Sequence, residues 1–304
     1  MDFFADMLSL QMMLFCLMIV GLLIKKIGII SEAGRKTLSG LLINVVLPCN
    51  IVHSFMSGVQ ISGEFIRNCI LMVMLSAAIQ LVATYGSKLI FRSFPQRQKG
   101  VLSYGIICSN SSFIGLPIAE ALFGNLGVMY TSVFQIPIRF TMWTAGLSLF
   151  TSVDKKDAFR KLIKHPCIVS IFIGLLLMVL PFQMPVFLND TISAISKCTT
   201  PVSMFVIGSI LADAPVESLF SKVVLYYTFL RLLAFPALVY LVLLPLGMDS
   251  LFVNICVLMT GMPAGSTVSI LADQYNADAA FASQLVFTST LFSIFTIPLL
   301  TLIM

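Results

Sequence analysis

The sequence predicts an all-α integral membrane protein of ten transmembrane helices arranged as two inverted five-helix repeats. Three observations predict it: an apolar composition, a series of ten apolar segments, and a strongly basic loop at mid-chain. Of 304 residues, 59% are apolar and only 10% are charged, with a mean hydropathy of +1.03. A soluble domain carries about 25% charged residues, so this chain cannot cover a water-facing surface and lipid must be its solvent. Only a helix satisfies its own backbone in hydrocarbon, and it needs about 20 apolar residues to cross.

Such segments fall at 5–24, 37–57, 66–91, 101–123, 126–151, 166–181, 187–211, 222–247, 250–274 and 278–304. Residues 2–24 include Asp2 and Asp6, and Lys25 and Lys26 follow. With no basic n-region and no small-residue cleavage site, the first segment reads as a retained span and not a signal peptide. The second contains His53, read as a hydrogen-bonded packing histidine. The sixth is the shortest. Cys16, Cys49, Cys69, Cys108, Cys167, Cys198 and Cys256 all lie in or beside spans and form no CxxC. They read as small core-filling residues, with no disulfide framework, metal site or cofactor expected.

Orientation follows from the cations. The odd-numbered loops hold Lys25, Lys26, Arg35, Lys36, Lys88, Arg92, Arg97, Lys99, Lys155, Lys156, Arg160, Lys161, Lys164 and Lys222, and the even-numbered loops hold Arg67. The odd loops are therefore expected in the cytoplasm of a cell-membrane protein, with both termini on the other side. The net charge of +5 is thus a topology signal. Its cations are split among short loops with no aromatic interleaving, which argues against a nucleic-acid partner.

The basic loop from Asp154 to His165 divides the chain into repeats at 1–151 and 152–304. An odd number of helices per half implies opposite insertion, a transporter signature. The fourth segment of each half carries Gly-x-Pro: Gly115-Leu116-Pro117, preceded by Asn110, Ser111 and Ser112, and Gly261-Met262-Pro263, followed by Ser266 and Thr267. Proline removes a backbone donor and clashes with the preceding turn, so each helix is expected to break there. Half-helices starting near Leu116 and Met262 would direct positive N-termini to the midplane, where an anion is favoured. Ordinary proline kinks are the competing reading. Two breaks in corresponding positions favour a binding site at Asn110, Ser111, Ser112, Gly115, Pro117, Gly261, Pro263, Ser266 and Thr267.

The run Ser109 to Gly124 (SNSSFIGLPIAEALFG) resembles the fourth-helix signature of the auxin efflux carrier family, the PIN-like carriers and their bacterial relatives. Met262 to Asn276 (MPAGSTVSILADQYN) resembles the family's second crossover helix, and Leu162 to Pro166, Gly174 and Pro48 also fit. The resemblance covers essentially the whole chain. It implies ten helices with both termini outside and crossed broken helices 4 and 9. It further implies an elevator-like movement of a transport core (helices 3–5 and 8–10) against a scaffold (helices 1, 2, 6 and 7), and a homodimer. Substrates across the family are small organic anions, auxin in plants and dicarboxylates such as malate or malonate in bacteria. The long hydrophilic loop of plant members is replaced here by about a dozen residues, which points to the bacterial type. Glu120 stands where plant members carry a basic residue.

Charges inside spans are the remaining candidates. Burying a cation at the bilayer centre costs at least about 2.5–3.5 kcal/mol unless it is paired or wet. Arg139, near the middle of segment five, is a candidate carboxylate clamp, or else pairs with Glu120 or a helix-end carbonyl. Lys197 and Arg231 rank lower because long cationic side chains snorkel. Glu120, one turn beyond Pro117, is the coupling candidate as a proton carrier. Asp273 and Gln274 read as solvated exit residues, and proton, sodium or no coupling all stay open.

Taken together, the expectation is a secondary transporter of a small mono- or dicarboxylate. The nearest alternative is a sodium-coupled symporter of the bile acid type. An intramembrane enzyme would need catalytic residues, yet the chain has no HExxH, GxSxG, GxSG or paired-aspartate motif. A channel would need a ring of carbonyls or charges about an axis.

Overall fold

The computed structural model of the chain describes residues 2–56, 62–151, 155–179, 184–212, 221–275 and 277–304. Among them every regular element is helical, and pairing of extended backbone is confined to one isolated antiparallel bridge. Fifteen α-helices succeed one another: α1 (Asp2–Lys26), α2 (Glu32–Leu41), α3 (Leu47–Phe55), α4 (Gly63–Ile90), α5 (Gln96–Ile107), α6 (Leu116–Thr141), α7 (Lys155–Ile163), α8 (Pro166–Val179), α9 (Val186–Ser196), α10 (Thr199–Ala212), α11 (Lys222–Phe229), α12 (Phe235–Leu243), α13 (Ser250–Thr260), α14 (Thr267–Gln274) and α15 (Ala279–Thr301). Six helical runs among the described residues are long and apolar enough to cross a membrane: Glu32–Phe55, Gly63–Ile90, Ser111–Leu149, Val186–Ala212, Lys222–Leu246 and Ala279–Thr301. Pro166–Leu177 and Ser250–Thr260 are shorter apolar helices. The chain is an all-helical membrane protein.

Local chemistry sets the boundaries. Ser31, Asp249 and Asp278 precede α2, α13 and α15 and accept from Gly34, Leu251 and Phe281 backbone amides. Each satisfies a donor that the first turn leaves orphaned. Widened π-turns at Leu42–Val46, Ser111–Gly115 and Leu230–Ala234 lead into helices whose second residue is proline: Pro48, Pro117 and Pro236. A proline has no N–H to offer the preceding turn and crowds its carbonyl, so that turn opens to a wider hydrogen-bonding pattern. Within α6, Gly124 has φ +60° and ψ −151°, a region essentially reserved for glycine, and it splits the helix where segment four was expected to give way to segment five.

The chain forms two compact units. The first comprises residues 1–72, 112–133 and 163–213. Its central contact is α1 against α10, where backbones meet at glycine: a Cβ on Gly21 would stand 2.6 Å from the Phe205 backbone, and one on Gly208 would strike the Met18 carbonyl. α3 packs on α8 and α9, with Phe55 against Gly174. The second unit comprises 73–111, 134–162 and 214–304. There α15 packs against α11, α14 and α5, and α12 against α13.

The cysteine expectation needs correction. Cys108, Cys167 and Cys256 are buried, but Cys16 and Cys198 are exposed, and Cys49 and Cys69 are half-buried. A thiol facing lipid costs nothing, so a span does not force it inward. None of the seven is in a disulfide, and the described residues hold no group of three or more His, Cys, Asp or Glu suited to a metal.

Candidate functional site

The second unit holds two helix interruptions that meet. α5 ends at Ile107, and Cys108, with φ −113° and ψ 100°, turns the backbone extended. α13 ends at Thr260, and its last turn closes on Gly261, whose amide bonds the Val257 and Leu258 carbonyls. The freed backbones pair antiparallel through Ser109 and Ala264. The Asn110 amide donates to the Pro263 carbonyl at 2.8 Å, and the Gly265 amide donates to the Cys108 carbonyl at 3.1 Å. Proline supplies the acceptor here and lacks only a donor this pairing does not need. Ser289 of α15 braces the patch from behind, accepting from the Ala264 amide at 3.2 Å. Backbone outside a helix at membrane depth persists only when it is so satisfied by protein.

The positions of the breaks differ from the sequence expectation. The first lies at 108–110, upstream of Gly115 and Pro117, because the wide turn Ser111–Gly115 absorbs the proline and runs on into α6. The second half-helix starts at Thr267 and not near Met262, since Gly261 to Ser266 form the interruption.

The second unit therefore brings together Asn110, Ser111, Gly261, Pro263, Ser266 and Thr267, whereas Ser112, Gly115, Pro117 and Glu120 belong to the first unit. Asn110 is buried. Tyr104 Oη donates to Thr267 Oγ1 at 3.4 Å. Arg139 is half-buried and its Nη2 donates to Gln135 Oε1, one turn back, at 3.1 Å. Gln135 in turn reaches the Ser111 carbonyl at 3.5 Å. Arg139 thus connects to the break through another side chain.

Arg231, ranked low on sequence, is 2% exposed and does not snorkel. Its Nε donates to the Met262 carbonyl and its Nη1 to the Ile106 carbonyl, each at 2.8 Å. One guanidinium so ties the backbone of both interruptions. Lys197, by contrast, is exposed. The signal for Arg231 was present in the sequence: a cation in an apolar run needs acceptors, and broken helices are where spare carbonyls occur.

In the first unit, Glu120 Oε2 accepts from Asn50 Nδ2 at 3.0 Å, and the same nitrogen donates to Ser196 Oγ at 3.0 Å. Asn50 is 1% exposed, and His53 lies within electrostatic reach of Glu120. The side chains of Asp273 and Gln274, and all of Asn276, lie outside the described residues.

Comparison with known proteins adds to this geometry. The family model Mem_trans, described as membrane transport protein, matches residues 8–301. The chain is 21% identical over 292 residues to an "Uncharacterized transporter" of Methanocaldococcus jannaschii, covering 93% of this chain and 94% of that one. It is 25% identical over 198 residues to a "Putative malonate transporter" of Rhizobium meliloti, covering 62% of each. It is 26% identical over 144 residues to "Auxin efflux carrier component 2" of Oryza sativa subsp. japonica, covering 46% of this chain and 23% of that one.

Proposed function

This chain belongs to the Mem_trans family of membrane transport proteins, the auxin efflux carrier family, and from that premise we propose that it is a secondary transporter of a small organic anion, a malonate- or malate-like carboxylate. The family is one of transporters and not of enzymes. The observation that carries the proposal is the paired interruption at Ser109 and Ala264. It offers a buried side-chain amide, Asn110, at the paired backbones that lead into α14 with its Thr267 hydroxyl. Neutral donors and a helix N-terminus suit a carboxylate without the cost of a dedicated ion pair.

In this reading the chain spans the cell membrane ten times as inverted repeats 1–151 and 152–304, with both termini outside, and works as a homodimer. Fourteen cations in the odd loops support the orientation. The substrate binds where broken helices 4 and 9 cross and moves by an elevator mechanism. Glu120, held by Asn50, is the candidate for proton coupling. Outward movement of a monoanion down about 100 mV gains roughly 2.3 kcal/mol, so uncoupled export is energetically reasonable as well.

Counterflow of labelled malonate and malate in proteoliposomes tests the reading. Saturable exchange is expected, and Asn110→Ala should weaken apparent affinity roughly ten- to a hundredfold, as loss of a hydrogen bond to a charged acceptor does. Absence of exchange across short mono- and dicarboxylates by a folded wild-type protein would sink the proposal.

A further inference from the structure

α5 and α13 both enter the crossing by their carboxyl-terminal ends. Each such end carries about half a negative charge in unpaired carbonyls. Left alone, two of them would repel the anion that the crossing is proposed to bind. Arg231 donates to both, through the Ile106 carbonyl at the end of α5 and the Met262 carbonyl just beyond α13. Among the described residues no carboxylate is recorded in an ion pair with it. Its electrostatic neighbours are Tyr227 and Cys108, and the Phe235 ring centroid is 5.8 Å from the guanidinium carbon. Among the described residues no carboxylate beside it cancels its charge.

We propose that Arg231 sets the charge preference of the crossing: it neutralises the two carboxyl-terminal helix ends, so that the site favours an anion over an uncharged molecule of the same shape. Arg231 acts through the backbone it holds and is a positioning residue. Its planar fork presents Nε and Nη1 to two separate carbonyls in a fixed geometry, where a lysine offers a single compact ammonium. The inference rests on the crossing being the binding site.

The test compares malonate with malonamide, its uncharged analogue, as competitors of labelled malonate counterflow and as thermal stabilisers of the purified carrier. In Arg231→Gln, which keeps an amide donor and loses the charge, the preference for malonate over malonamide should fall at least about tenfold. KM for malonate should rise while the maximal rate per folded carrier stays within about twofold. Arg231→Lys should keep the preference within about threefold while unfolding at lower temperature, because an ammonium replaces the fork. A folded Arg231→Gln carrier with wild-type preference overturns the proposal. If Arg231→Gln does not fold, Arg231→Lys decides: loss of the preference with the charge retained overturns it too. A wild-type carrier that binds no small carboxylate sinks the binding-site reading itself, an outcome distinct from an unchanged preference in the variants.

Discussion

Asn50 uses a single nitrogen to hold two acceptors, Glu120 Oε2 and Ser196 Oγ, while its own Oδ1 is buried without a partner among the described residues. The arrangement requires only that Glu120 present an acceptor, which a carboxylate, a carboxylic acid and a glutamine all do. Glu120→Gln should therefore fold and exchange substrate normally. If Glu120 carries the coupling proton, the variant should lose the dependence of uptake on an imposed pH gradient. Uptake measured with and without the gradient checks it, and an unaltered response excludes Glu120 from coupling. Glu120 was legible in the sequence because an acid in an apolar run is conspicuous. Asn50 and Ser289 were not, since a lone amide or hydroxyl in a span carries no local mark of what it will bond. Arg231 was visible but expected to snorkel, because depth within a segment says nothing about which carbonyls fold to meet it.

Helices in this chain are interrupted for separable reasons. Pro48, Pro117 and Pro236 only widen the turn before them, whereas true loss of helix occurs at 108–110 and 261–266, where another strand supplies the hydrogen bonds. Sequence reasoning placed the first break at the proline because it weighed the missing N–H and could not weigh a partner 155 residues away, Ala264 opposite Ser109. Close approach of backbones is a second element-level device. A side chain on Gly208 would enter the Met18 carbonyl and come 2.7 Å from the Leu22 amide. Gly208→Leu should separate α10 from α1 at a cost of about 1–3 kcal/mol, read as a lower unfolding temperature. The KM of the surviving carrier should not change, since neither helix carries a proposed substrate contact. Gly124→Ala is strained for a different reason: open space surrounds it, but its φ of +60° with ψ −151° disfavours any Cβ.

The whole molecule divides into two units that draw on non-contiguous stretches of chain, and that partition was not readable from composition or charge, which report only spans and orientation. That the chain is all-helical and apolar enough for a membrane was readable, because lipid makes the same demand of every span; of the ten segments expected, six helical runs among the described residues have the length and apolarity to cross. The crossing lies within the second unit, so a ligand there should order that unit selectively. Saturating malonate should slow amide hydrogen exchange over 104–111 and 258–268 and leave 14–26 and 199–212 unaffected. Protection spread evenly over both units, or confined to the first, would contradict that assignment. The bridge between Ser109 and Ala264 carries one further consequence, for how such a protein can vary. Its two hydrogen bonds, Asn110 to Pro263 and Gly265 to Cys108, fix a register. One residue gained or lost on either side would slide one strand by a single step and turn Asn110 to the opposite face. The lengths of two segments distant in sequence are therefore bound to each other, and insertions here can be tolerated only in matched pairs.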